Sequence, residues 1–141
     1  MKPESRKTDR NEIQLLAKFR YEIRRFLQFS EQAATSAGLQ PQQHQLLLQI
    51  AGAPDNTLVT ISHIAEVLGL RHHTAVELSK RCELAGLVRR TTDQNDRRRV
   101  VLELTAQGEE KLRLLSEVHA QQLRQLAPVL IQALTRIRNS K

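Results

Sequence analysis

The sequence predicts a mainly α-helical protein with one small β-hairpin. Apolar residues recur at spacings of three and four over most of the chain, as they do along one face of an α-helix. Glycine and proline are scarce, with 5 and 4 residues among 141, which excludes a sandwich or barrel with many tight turns. Two short segments, 87–90 and 100–104, flank a polar stretch and are predicted to be the paired strands of the hairpin.

The N-terminal part of the chain is predicted to form two helices. Asp9 is an N-cap candidate, and Glu12 stands three residues later, as in a capping box. The long amphipathic helix that follows is expected to stop near Gly38, because glycine commonly ends helices. Pro41 fits the first turn of a second helix that runs to about Ala51.

The middle of the chain is predicted to hold a loop, a short strand and two helices, in the order 52–56, 57–59, 61–68 and 72–85. Thr60 is the N-cap candidate of the first of these helices, and Gly69 ends it. Gly86 ends the second helix. Two helices joined by such a short turn are a candidate helix-turn-helix.

The C-terminal part begins with the predicted hairpin, whose loop is the polar segment 91–99. Thr105 is expected to cap a helix after the second strand, and Pro128 is expected to open one more helix. The predicted order is therefore α-α-β-α-α-β-β-α-α. A helix-turn-helix followed directly by a hairpin is the plan of a winged helix. The second helix of such a domain fits the major groove of B-DNA, and the hairpin loop reaches the adjacent minor groove.

The chain is basic, with 22 Lys and Arg against 15 Asp and Glu and a net charge of +7. Of the basic residues 16 are Arg, whose planar fork suits phosphates and base edges, and the densest cluster lies in segment 71–99. This balance predicts a polyanionic partner, either a nucleic acid or an anionic membrane surface. Aromatic residues make up only 3% of the chain, which argues against modules that stack single-stranded bases.

Several other classes of function are excluded. The chain has no 18-residue apolar run and a polar N-terminus, so we expect a soluble, cytoplasmic protein without membrane contact. We expect no enzyme, because catalytic glycine motifs and paired carboxylates in a plausible cleft are missing. We expect no cofactor and no metal site, because the five histidines show no ligand spacing.

Cys82, the single cysteine, is predicted to pack in the core; the alternative is a redox-sensing thiol.

Helical phase divides the predicted helix 72–85 into two faces. The face predicted to be buried carries Ala75, Leu78, Ser79, Cys82 and Ala85. The other half and the start of the helix supply the predicted DNA-reading residues, Arg71, His72, His73, Thr74, Glu77, Lys80 and Arg81. Histidine and lysine can donate to guanine, threonine can meet a thymine methyl, and glutamate can accept from cytosine. The alternative is an ordinary polar surface helix.

The predicted wing loop carries one carboxylate and three consecutive arginines: Asp96, Arg97, Arg98 and Arg99. Like charges at a tight loop repel one another, and Asp96 can pair with one arginine and fix its direction. An arginine held in this way suits a narrow minor groove, where the negative potential is enhanced. The alternative is a solvated run of charge.

Residues 57–108 resemble the winged-helix core of the MarR family, the multiple antibiotic resistance regulators. The matching stretches are TISHIAEVLGL, HHTAVELSKRCELAGLVRR and DQNDRRRVVLELTAQG. The family's wing signature is Asp-x-Arg, then apolar strand residues, a Leu-Thr pair and a glycine. It falls on Asp96, Arg98, Leu104, Thr105 and Gly108. The adjacent histidines 72 and 73 depart from the small polar residues expected there, which leaves the base preference open.

The resemblance implies a homodimer that binds a pseudo-palindromic site near a promoter. It places Arg98 in the minor groove, oriented by Asp96, and segment 71–77 on base edges. Occlusion of polymerase makes repression the default expectation, and a ligand that favours another spacing of the recognition helices would release it.

The resemblance also implies a site for a small aromatic or anionic effector, between the dimer helices and the winged core. The candidate lining residues are Tyr21, Arg24, Arg25, Phe29 and His44. An equally strong alternative places the aromatic rings in a dimer core and leaves the arginines solvated.

We expect one domain over 1–141, with a winged helix-turn-helix core at 53–105 and helical dimerisation regions at 9–38 and 106–140. The apolar stripes of the flanking helices are too long for such a core to cover, and they would cause aggregation if exposed. Pairing across a two-fold axis would bury them and space two recognition helices about 34 Å apart. Two rival functions remain: an architectural protein that coats DNA without sequence preference, and a module whose basic wing binds an acidic protein.

Overall fold

A computed structural model describes residues 10–140, and these residues form five helices and two strands. The elements are α1 (Arg10–Ser36), α2 (Pro41–Ala51), α3 (Ile61–Leu68), α4 (His72–Leu84), β1 (Val88–Thr92), β2 (Val100–Leu104) and α5 (Ala106–Asn139). The prediction of a mainly helical fold with one hairpin is confirmed. Asp9, the predicted cap of α1, lies outside the described residues.

The end of α1 is fixed by a left-handed glycine and by a lysine from α5. Gly38 has a φ of +80°, and the Leu39 N–H donates to the Ala34 carbonyl oxygen at 2.9 Å. The Lys111 ammonium donates to the Ala37 carbonyl oxygen at 2.5 Å. A cation at this position also interacts favourably with the negative end of the helix dipole.

The prediction that Pro128 opens a separate helix is wrong. Pro128 lies inside α5, which continues without a break from Ala106 to Asn139. A proline removes one helical hydrogen bond, but the apolar period continues on both sides of it, with Leu126 and Ala133 both buried. Packing of that continuous face keeps the chain helical through the proline.

The prediction of a short strand at 57–59 is also wrong. A turn occupies the preceding residues, where Asn56 has a φ of +64° and the Thr57 N–H donates to the Pro54 carbonyl oxygen at 3.0 Å. Since Thr60 is the extended N-cap of α3, which begins at Ile61, only the chain around Val59 and Thr60 can pair. The pairing is a single bridge between Thr60 and Val101.

The hairpin is antiparallel, and its register runs from Val88 opposite Leu104 to Thr92 opposite Val100. The first strand therefore starts one residue later and ends two residues later than the predicted 87–90, because Thr91 and Thr92 also pair with β2. The wing loop is correspondingly shorter, at 93–99.

The contacts divide the described chain into two compact units. One comprises 10–30 and 118–140, and the other comprises Glu31–Glu117. In the first unit His119 Nε2 lies 2.8 Å from the Ser30 hydroxyl, and the rings of Phe26 and Phe29 meet the imidazole edge-on. The core of the second unit draws on every helix and strand that enters it and includes Ala34, Leu46, Leu47, Ile64, Leu78, Leu102 and Leu115. Within residues 10–140, no helix combines the length and apolar character needed to cross a bilayer.

Candidate nucleic-acid interface

The turn between α3 and α4 is set by signals that are local in sequence. The Thr60 hydroxyl accepts a hydrogen bond from the His63 N–H at 3.1 Å and so caps α3. Gly69 adopts the left-handed conformation, with φ of +64° and ψ of 36°, and ends the helix. Arg71 is then the N-cap of α4, so a turn of three residues joins the two helices.

One face of α4 is anchored in the core of the second unit. Its buried residues are Ala75, Leu78, Ser79 and Cys82, all at 0% exposure. The Ser79 hydroxyl is satisfied locally, because it donates to the Val76 carbonyl oxygen at 2.8 Å. Ala85 was predicted on this face but is exposed, since α4 ends at Leu84 and Ala85 is already its C-cap.

The opposite face of α4 points into solvent. Six of the seven predicted DNA-reading residues are exposed: Arg71, His72, His73, Glu77, Lys80 and Arg81. Thr74 is half-buried. Within residues 10–140, the three cations Arg71, Lys80 and Arg81 have no carboxylate within ion-pair distance. Their charge is therefore available to an external anion.

The base of the wing is tied to the start of α5 by the last residues of the MarR-like signature. The Thr105 hydroxyl donates to the Gly86 carbonyl oxygen at 2.6 Å and accepts from the Gly108 N–H at 3.1 Å. The Thr105 N–H donates to the Leu87 carbonyl oxygen at 3.1 Å. A Cβ on Gly108 would lie only 2.1 Å from that same oxygen. Thr105 and Gly108 therefore hold β1 against α5.

The arginines of β1 are already paired within the protein. Arg89 lies 3.7 Å from the Glu103 carboxylate on the neighbouring strand. The Arg90 guanidinium lies 4.0 Å from Glu83, whose other carboxylate oxygen accepts the Arg90 N–H at 3.3 Å. The role of Glu83 is not predictable from the sequence, because a contact between a helix end and a strand has no fixed spacing. Because they are paired, these two arginines contribute less than the wing loop to the positive charge that is available to an external anion.

The wing loop is shaped by its two aspartates. The Asp93 carboxylate accepts the Asn95 N–H at 3.1 Å, and it lies 3.8 Å from the Arg99 guanidinium. The Asp96 carboxylate accepts the Arg98 N–H at 3.0 Å. Asp96 thus acts on the backbone of Arg98 and not on a guanidinium, and the ion pair predicted for Asp96 is made by Asp93 instead.

The remaining wing arginines point away from any internal partner. Within residues 10–140, no carboxylate lies within 4.0 Å of the guanidinium of Arg97 or Arg98. Both residues are exposed. Two unpaired guanidiniums on a loop held by aspartate turns make this tip the most cationic part of the hairpin.

The candidate effector residues fall in both compact units. Tyr21, Arg24, Arg25 and Phe29 belong to the first unit, and His44 is buried in the second. The Arg25 guanidinium lies 5.8 Å from the centre of the Tyr21 ring, which is a cation–π distance. Phe29 packs against His119 as described above.

Cys82 has the environment of a structural residue. Its side chain is 0% exposed, and burial raises the pKa of the thiol to about 12, although the nearby charge of Arg81 acts in the opposite direction. The thiolate is the reactive form of cysteine, so a thiol in this state is inert at neutral pH. Among residues 10–140, no group of three or more His, Cys, Asp or Glu is arranged to hold a metal ion.

We therefore expect native Cys82 to react with a thiol-specific disulfide reagent at pH 8 at least about a hundredfold more slowly than the unfolded chain. The comparison is one absorbance time course in buffer and one in denaturant. Peroxide should change any affinity for DNA no more in the native protein than in Cys82→Ser. Labelling at the unfolded rate in buffer, or peroxide-triggered release of DNA by the native protein only, would show that the thiol is accessible and acts as a sensor.

Comparison with known proteins supports the winged-helix assignment of the segment that runs from α2 to the wing loop. Residues 37–99 match the model of the MarR family, so the resemblance seen in the sequence is confirmed over this part of the chain. No curated protein matches the chain significantly.

Solved structures share the fold over most of the chain. AbsC, a MarR family transcriptional regulator from Streptomyces coelicolor, is 21% identical, with a TM-score of 0.73 over 94% of this chain and 90% of its own. The MepR–DNA complex from S. aureus is 20% identical, with a TM-score of 0.66 over 86% and 85%. AbfR in a disulfide-bonded form is 25% identical, with a TM-score of 0.66 over 93% and 94%.

Proposed function

We propose that this chain, whose residues 37–99 match the MarR family, is a transcription regulator that binds double-stranded DNA in a sequence-specific manner as a homodimer. The observation that carries the proposal is the set of unpaired cations on α4 and on the wing loop of one compact unit. S. aureus MepR, which shares the fold, has been solved in complex with DNA. A regulator of this kind acts by binding and performs no catalysis.

In this proposal α4 lies in the major groove and reads bases with Arg71, His72, His73, Thr74 and Glu77. All of them except the half-buried Thr74 are exposed, which supports the role, since base edges are reached only by side chains that leave the helix surface. Arg71 and the two histidines supply donors, and Glu77 supplies an acceptor that favours cytosine and repels phosphate. Lys80 and Arg81, further along the same helix, contribute contacts to the phosphate backbone.

The wing loop enters the adjacent minor groove with Arg98. The turn closed by Asp96 supports this role, because it fixes the backbone of Arg98 without occupying its guanidinium. Arg97 is exposed and forms no ion pair among residues 10–140, which supports a contact of this side chain with a phosphate. Arg99 is held by Asp93 and contributes mainly to the shape of the loop.

The first compact unit supplies the dimer contact. Large apolar side chains of this unit are left in solvent by the single chain, namely Ile13, Leu16, Leu27, Val118, Leu123, Ile131 and Leu134. Exposed apolar side chains in such number are typical of protein–protein interfaces. A second copy of the chain, related by a two-fold axis, would bury them, and the resulting dimer would carry two copies of α4 for two half-sites.

The dimer contact predicts that the double change Ile131→Lys and Leu134→Lys yields a monomer that binds DNA at least about tenfold more weakly, because it loses one of its two half-sites. Sedimentation equilibrium measures the mass, and fluorescence anisotropy measures the DNA affinity. Leu114→Lys, at a residue of α5 that is equally exposed but lies in the other unit, is the matched control and should remain dimeric. A double variant that keeps the native mass would rule out this surface.

We further propose that the bound dimer acts as a repressor by occluding polymerase, and that a small effector releases it. The effector would stabilise a spacing of the two α4 helices that does not match the grooves. The difference between its affinities for this state and for the DNA-binding state sets how far it can shift the equilibrium between them.

The test of DNA binding is a titration of a fluorescent mixed-sequence duplex, and of a single strand of the same length and composition, at about 50 to about 200 mM salt. We expect the duplex to bind more tightly than the single strand, with an affinity that falls steeply as salt rises. Absence of duplex binding even at the lowest salt would contradict the proposal and would point to an acidic protein as the partner of the wing.

A further inference from the structure

A cavity of about 690 Å³ lies entirely within the compact unit Glu31–Glu117, between the end of α2, the sheet and the first half of α5. Its volume falls in the range of small-molecule sites. The apolar part of its lining includes Leu58, Val59, Leu102, Leu104 and Leu112. Leu58 is 48% exposed, so a ligand can reach this lining from solvent without unfolding the unit.

The two arginines that line the cavity are both engaged. Arg113 donates to Glu117 at 2.6 Å and to Glu110 at 2.8 Å, and the hydrogen bond from Arg113 lowers the pKa of the Glu110 carboxyl. Arg89 lies 3.7 Å from Glu103. An anionic ligand would have to compete with a carboxylate for either guanidinium.

Glu109, by contrast, lines the cavity without a partner. Among residues 10–140, no hydrogen bond or ion pair involves its carboxylate. The cavity and the partners of its arginines together carry four carboxylates against two guanidiniums. This is a local excess of negative charge on a chain whose net charge is +7.

We propose that this cavity binds a lipophilic organic cation, whose apolar body packs against Leu58, Leu104 and Leu112 while its positive centre lies beside Glu109. The apolar walls supply affinity by burial, and the unpaired carboxylate selects the sign of the charge. The charge of this ligand class is opposite to that of the anionic effector, one of the two kinds that the family resemblance implied. The binding itself does not depend on DNA, and only its use as a regulatory signal rests on the proposed function.

The test uses two ions of matched shape and opposite charge, tetraphenylphosphonium and tetraphenylborate, titrated calorimetrically into the full-length chain without DNA. The two ions are titrated in separate experiments, because they precipitate together, and we expect the phosphonium to bind with one site per chain and the borate to bind more weakly. Absence of phosphonium binding at concentrations up to about 1 mM would overturn the proposal. A dissociation constant of about 1 mM corresponds to a binding free energy of about −4.1 kcal/mol. A borate that binds at least as tightly as the phosphonium when it is titrated alone would also overturn the proposal.

Two variants locate the site. Glu109→Gln should weaken phosphonium binding about five- to tenfold, because it removes the unpaired charge and keeps the size of the side chain. Leu58→Ala should weaken it about three- to fivefold through lost apolar contact. Both positions are exposed, so both variants are expected to fold, and circular dichroism checks this. Glu66→Gln, on α3 and outside the cavity lining, is the control with unchanged affinity. Equal affinity in all three variants would place the ligand elsewhere and reject the site.

The same titrations keep this proposal separate from the DNA proposal. If the chain binds phosphonium in the cavity but binds no duplex, the site stands and the regulator is rejected. If it binds duplex but no phosphonium, the cavity site is rejected and the DNA proposal stands.

Discussion

Replacement of Gly108 by alanine is expected to lower the free energy of unfolding by about 2–3 kcal/mol. A Cβ at this position would lie 2.1 Å from the Leu87 carbonyl oxygen and 3.1 Å from its carbonyl carbon. The neighbour is backbone, so no side chain can rotate away, and α5 must move from the strand. That movement would weaken the hydrogen bond of the Thr105 N–H to the same oxygen. In an ordinary helical position the same substitution would be stabilising by about 1 kcal/mol.

Urea denaturation of the wild type and the variant measures the effect. Gly69→Ala is the matched control, because a Cβ there meets nothing within 4 Å and only the left-handed φ of +64° opposes it. We expect the control to lose about 1–2 kcal/mol, less than the Gly108 variant. A Gly108 variant as stable as the wild type would show that the close approach of α5 to Leu87 does not constrain the fold.

Replacement of Arg98 by alanine is expected to weaken binding to the preferred DNA site by about 1–3 kcal/mol while the dimer persists. Among the described residues 10–140 its guanidinium has no ion-pair partner, and Asp96 holds its backbone by accepting the Arg98 N–H. Removal of this side chain therefore takes a contact from DNA without breaking one inside the protein. Arg98→Lys should recover only part of the loss, since an ammonium keeps the charge but not the planar fork.

Arg89→Ala is the matched control for this change, because it removes another exposed arginine of the same hairpin. Arg89 is already paired with Glu103, so its loss should cost less than about 0.5 kcal/mol of DNA affinity. Anisotropy titrations at one fixed salt concentration compare the variants. Equal affinity of Arg98→Ala and wild type would remove the wing from the DNA interface.

The parts of the fold that the sequence predicted well are those with local causes. Thr60 as a cap, Gly69 as a helix end and Pro41 at a first turn each act within a few residues, and the bounds of α2, α3 and β2 agree with the prediction. The errors concern segments whose state is decided by distant packing. Pro128 stays inside α5 because the buried face continues past it, and no local signal reports that.

The candidate site divides in the same way. The exposure of one face of α4 follows from helical phase, and the structure places six of seven predicted residues in solvent. The pairing in the wing could not be read from spacing, because Asp93 and Asp96 are equally plausible partners for a run of three arginines. The close contact of Gly108 with Leu87 depends on the angle at which α5 leaves the sheet, although the glycine itself was already visible in the family signature.

The most direct test of sequence-specific regulation is selection from a pool of random duplexes by the purified protein at physiological salt, followed by sequencing. Sequence-specific binding by a two-fold dimer predicts an enriched pseudo-palindrome whose half-sites lie one helical turn apart, about 34–36 Å between centres. Retention of DNA without any enriched motif would contradict it and would indicate an architectural protein that coats DNA. Failure to retain any duplex would also contradict it.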